Sequence, residues 1–108
     1  MSWGQIIGGL VGLVVAGVAI AAIIAVLTYD EILSWFQPRT HLLEKDRTIV
    51  GYTIMKYLQN GNYETVQGIF DTDSQQVLEA RSIESKQVDY ELKQMHIEND
   101  GCVIYTMN

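Results

Sequence analysis

Residues Ile6 to Leu27 form a run of 22 residues without a charged side chain, IIGGLVGLVVAGVAIAAIIAVL. About 20 apolar residues rising 1.5 Å each cross the ~30 Å hydrocarbon core of a bilayer, so the run predicts a transmembrane helix. Trp3 on one side and Tyr29 and Trp35 on the other are aromatic residues of the kind that settle at the two membrane interfaces. The helix is expected to end at Gln37-Pro38, because the residue before a proline avoids the helical region. Ile32, Leu33, Trp35 and Phe36 form an apolar extension, to lie in the headgroup layer or to dock on the following domain. The Ala19-Ile20-Ala21 step has the small-x-small form of a leader cleavage site. Met1 to Gln5, however, lacks the Lys or Arg of a secretory leader, so the run is expected to stay as an uncleaved anchor.

Small residues gather on one side of this helix. Gly4, Gly8 and Gly12 are four apart, and at about 100° per residue Gly9, Ala16, Ala19 and Ala22 join their face. In lipid, helices associate by close backbone approach through small residues. Gly4, Gly8, Gly12, Ala16 and Ala19 are thus the expected association face, a glycine zipper toward another copy or another membrane protein. Arg39, Lys45 and Arg47 follow the run and no Lys or Arg precedes it. Basic residues mark the cytoplasmic side, so a single-pass protein with its C-terminal domain in the cytoplasm is expected.

The chain accordingly divides into 1–38, the anchor with its interfacial extension, and 39–108, a small domain near the lower size limit for a self-sufficient core. From Thr40 onward there are eleven Asp or Glu and six Lys or Arg, a net charge of −5. An acidic domain without a basic cluster excludes nucleic acid as a partner, since phosphate neutralisation dominates that affinity. Cys102, the only cysteine, reads as a small buried apolar residue at a strand start, without a basic neighbour to activate it.

Within the domain, Leu43, Val50, Ile54, Tyr57 and Leu58 recur at helical spacing, which predicts a helix over Thr40–Gln59 stopped by Asn60-Gly61. Tyr63–Phe70 and Val77–Ile83 read as strands joined at Asp71–Ser74. Ser85 is placed to cap a second helix through His96, with Asp89 and Lys93 as an exposed i,i+4 pair. Cys102–Met107 reads as a third strand. The expected fold is a membrane-anchored α+β protein: one N-terminal transmembrane helix, then an α-β-β-α-β domain with a three-stranded, mainly antiparallel sheet.

No motif carries chemistry. Asp71-x-Asp73 begins like a calcium loop, but Gln76 stands where that loop needs glycine and Ser82 where it needs glutamate. His41 and His96 lack companions at ligand spacing, and the carboxylates are scattered. No catalytic, metal or cofactor site is therefore expected. The chain reads as a non-enzymatic membrane protein that acts by helix and domain association, as a scaffold, accessory subunit or oligomer. The alternative is a membrane-tethered sensor or enzyme whose small domain binds a ligand.

Overall fold

The computed structural model describes residues 20–106. The polypeptide runs β1 (Ile20–Leu27), α1 (Tyr29–Phe36), a 3-10 turn (Gln37–Arg39), α2 (Thr40–Lys45), β2 (Ile49–Tyr57), β3 (Tyr63–Asp71), β4 (Gln76–Val88), α3 (Tyr90–Glu98) and β5 (Cys102–Tyr105). The five strands make one mixed sheet in the order β1-β4-β3-β2-β5. β1 lies parallel to β4, and the other neighbours are antiparallel. The fold is α+β as expected, with five strands in place of three.

Several sequence expectations are corrected. Ile20–Leu27, read as the end of a transmembrane helix, is strand β1. A charge-free, β-branched run satisfies a parallel strand as well as a helix, because apolar periodicity cannot separate the two. The earlier part of that run lies outside the described residues. Among the described residues no helix is long and apolar enough to cross a membrane. Thr40–Gln59, read as one helix, is α2 followed by β2. The break falls at Asp46, whose carboxylate accepts from the Thr48 amide at 3.1 Å. Beyond it, Ile49, Val50, Tyr52, Thr53 and Ile54 favour extended backbone. Asn60-Gly61 is then a hairpin turn, with Gly61 at φ 88°.

β4 continues to Val88 where a helix was expected from Ser85, and α3 begins at Tyr90 behind an Asp89 cap. Asp89 is no exposed helical partner of Lys93. Its Oδ1 accepts from the Leu92 amide and its Oδ2 from the Tyr29 amide, both at 2.8 Å. One carboxylate thus holds the first turns of α1 and α3, where unpaired N–H groups and the helix dipole favour negative charge. The Asp89 amide donates to the Leu27 carbonyl at 3.0 Å, which fastens the ends of the parallel pair together.

The helices lie on one face of the sheet. Ile32 and Phe36 of α1, Leu43 of α2 and Leu92 of α3 pack with Leu27, Ile49, Ile69 and Ile83. Gly51 lies against the Phe36 ring, and a Cβ there would come within 2.7 Å of it. The opposite face is also apolar, built from Val50 and Tyr52 of β2, Val66 and Phe70 of β3, with Ile54, Val77, Cys102 and Ile104 beside them.

Candidate functional site

β1 is the outermost strand on its side of the sheet, and among the described residues nothing pairs with its outer edge. Its sequence, IAAIIAVL, contains no charge and no proline. Ile20, Ile23 and Val26 are 43 %, 67 % and 45 % exposed. An edge of unpaired N–H and C=O groups templates pairing with another strand, and proteins usually blunt it with charge, proline or brevity. The other edge strand, β5, is blunted by brevity, at four residues. β1 has eight, with one irregularity between Ile20 and Ala22.

A polar network fixes α1 over β3 and β4. Gln67, wholly buried in β3, donates from Nε2 to the Ile32 carbonyl at 2.8 Å and accepts at Oε1 from Arg81 Nε at 2.8 Å. Arg81 also donates to the Glu31 carboxylate at 3.3 Å. Burial pulls the Arg81 guanidinium below its ordinary pKa, and the Glu31 carboxylate opposes that shift. Arg39 donates to the Trp35 carbonyl and to Glu79, each at 2.8 Å. Its guanidinium lies 3.9 Å from the centroid of the Trp35 ring.

A second chain of polar groups runs through the helix-side core. His96 Nδ1 lies 2.7 Å from the Leu92 carbonyl, which can only accept, so Nδ1 carries a proton. In the neutral ring Nε2 then accepts from the Thr53 hydroxyl at 2.8 Å, and Thr53 Oγ1 accepts from the Tyr105 hydroxyl at 2.9 Å. Burial pulls His96 below its ordinary pKa and pushes Tyr105 up to about 12. Nε2 ties α3 to β2 through Thr53, while Nδ1 is held within α3 by the Leu92 carbonyl. Next to it is an open cavity of about 320 Å³ lined by Met55, Tyr57, Tyr63, Lys93 and Ile97. The Tyr57 and Tyr63 rings meet edge-on at 5.2 Å, and Lys93 Nζ stands 5.5 Å from the Tyr63 centroid.

Of the residues singled out by sequence, Trp3, Gly4, Gly8, Gly12, Ala16 and Ala19 lie outside the described residues. Tyr29 and Trp35 are half-buried and pack against the helix-side core, Trp35 with its ring edge-on to Phe36 at 5.5 Å. Sequence reasoning missed Asp89 as a joint, Gln67 as a buried tether and β1 as an edge. A polar residue inside the β-rich YETVQGIF was the available signal for Gln67. Comparison with protein-family models, curated proteins and solved structures gives no match.

Proposed function

We propose that this is a non-enzymatic protein that acts by association, with β1 as the docking edge and a second copy of the chain as its occupant. The observation that carries the reading is the charge-free outer edge of β1, unpaired among the described residues, with Ile23 two-thirds exposed. Self-pairing about a two-fold axis sets the same strand against itself in antiparallel register. A strand without charges meets no like-charge repulsion in that pairing. The measurement is the solution mass of the full chain and of Ile23→Lys with Val26→Lys. A two-chain mass that falls to one chain in the variant, with its circular dichroism unchanged, supports the edge. A wild-type chain that stays monomeric at the highest attainable concentration overturns it.

A membrane location is the second reading, favoured by the charge-free run. It competes with the sheet for the same residues. Once β1 takes Ile20–Leu27, the fourteen residues Ile6–Ala19 could rise only about 21 Å as a helix, short of the ~30 Å core. A spanning helix over the full Ile6–Leu27 run therefore requires β1 to leave β4. It would bring with it the small-residue face at Gly8 and Gly12 and a cytoplasmic domain. Retention in the pellet after carbonate washing of membranes supports spanning; release into the supernatant removes it.

A further inference from the structure

We propose that the cavity between α3 and the β2–β3 hairpin binds a small aromatic carboxylate, its rings among Met55, Tyr57, Tyr63 and Ile97 and its carboxylate on Lys93. The inference goes beyond the association reading and does not depend on it, since β1 contributes no residue to the lining.

The sheet register places the walls. Thr53, Met55 and Tyr57 alternate onto one face of β2, and Thr53 meets His96 of α3, so that face is the helix side. Tyr63 stands opposite Tyr57 and joins it there. Lys93 and Ile97 are neighbours at i,i+4 spacing on α3 and face the same space. The cavity holds about 320 Å³. An apolar cavity of ~150 Å³ accepts benzene, so about twice that volume suits a bicyclic ring system. The Tyr57 and Tyr63 rings already meet edge-on at 5.2 Å, and a third ring can extend such a pair at centroid separations of about 4.5–7 Å. Met55 adds a thioether, which makes favourable contacts at ring edges.

Charge selects the rest of the ligand. Lys56 also lines the cavity, but it alternates toward the other sheet face and pairs with Glu64 at 3.7 Å. Lys93 Nζ stands 5.5 Å from the Tyr63 centroid, and among the described residues no carboxylate pairs with it. Both ring nitrogens of His96 are already bonded. Lys93 is therefore the cation left to meet a ligand. A cationic ligand would meet its repulsion, whereas a carboxylate gains a charge-assisted hydrogen bond. Asp100, the acidic residue of the lining, lies past the C-terminal end of α3, while Lys93 lies near its start. The carboxylate thus sits at the end of the site away from Asp100.

The test is a titration of the full chain in buffer with 2-naphthoate, followed by calorimetry and by amide chemical shifts. The expected result is one saturable site with a Kd of about 1 mM or tighter and shifts concentrated at residues 55–63 and 93–101. Lys93→Gln is expected to weaken binding at least about threefold, and Lys93→Arg to retain most of it. Ile97→Glu sets a carboxylate against the ligand and is expected to weaken binding further than Lys93→Gln, with circular dichroism unchanged. 2-Naphthylmethanol, the same rings without the charge, is expected to bind at least about threefold more weakly than 2-naphthoate. Failure to saturate at several millimolar, or shifts centred on β1 or on Val50, Val66 and Phe70, would overturn the proposal. Equal binding of 2-naphthylmethanol would overturn the role of Lys93. Tighter binding of tryptophan than of 2-naphthoate, lost in Asp100→Asn, would assign the cavity to an amino-acid zwitterion instead.

Discussion

Asp89 holds two helix starts with one carboxylate, and its replacement separates this joint from an ordinary cap. Loss of an N-cap costs about 0.5–2 kcal/mol. Asp89→Ala also strips the Tyr29 amide of its acceptor, so a loss of about 2–3 kcal/mol is expected in urea unfolding, while Asp89→Asn keeps an acceptor and loses less. A loss for Asp89→Ala below about 0.5 kcal/mol would show that the two helices stand independently. Gly68 is the second sensitive position. The Tyr52 ring lies across it, and a Cβ there would come within 2.6 Å of that ring and 2.8 Å of the Glu79 carbonyl. Gly68→Ala should cost about 1–3 kcal/mol by overpacking. The Tyr52 hydroxyl is buried without a hydrogen-bond partner among the described residues, and burial pushes its pKa to about 12. Tyr52→Phe is therefore expected to leave stability unchanged or raised. His96 sets an acid limit. Its folded pKa lies below the unfolded value of about 6.5, because burial disfavours the imidazolium. Its stabilising contribution is fully present above that value and is lost as pH falls through the folded pKa. His96→Gln should flatten the stability profile between neutrality and the carboxylate range; an unchanged slope there would exclude His96 as its cause.

Each element shows a different reason for being legible or not. β3 was read within a residue of its true limits, because YETVQGIF is β-branched and aromatic and bounded by turn residues on both sides. The β3–β4 turn was equally plain, with the Asp71 carboxylate accepting from the Asp73 amide at 3.0 Å. β2 was hidden because Val50, Ile54 and Tyr57 fit a helical stripe, while the strand buries both its faces and so shows no alternation. Asn60-Gly61 was recognised as a stop, but helix ends and hairpins use the same residues. The candidate edge was invisible for a related reason: a parallel strand and a membrane helix are written in the same apolar letters. The tether of α1 is a tertiary property that no local pattern encodes. Gln67→Leu should remove the side-chain donor to the Ile32 carbonyl, leave Arg81 Nε without its acceptor and cost about 1–3 kcal/mol. Hydrogen exchange should then quicken in α1 while the β3 amides stay protected; uniform loss across both would mean that α1 and the sheet open as one unit.

At the scale of the whole molecule, one apolar segment has two competing uses. In the sheet, Ile20–Leu27 forms a parallel ladder with β4, and Leu27 is fully buried under α1 and α3. In a bilayer the same residues would complete a helix of spanning length, at the cost of that ladder and of the Leu27–Asp89 hydrogen bond. The net charge of −6 offers no attraction to anionic headgroups that could tip the choice. Burial of Leu27 and the shared Asp89 joint both favour the sheet in water. Amides of β1 that donate to β4 are therefore expected to exchange more slowly than those of the Asp71–Ser74 turn in buffer. Their rates should stay unchanged when phosphatidylcholine vesicles are added. If β1 instead gains protection with vesicles while its partners in β4 lose theirs, the strand has left the sheet for the bilayer, and the spanning reading takes precedence.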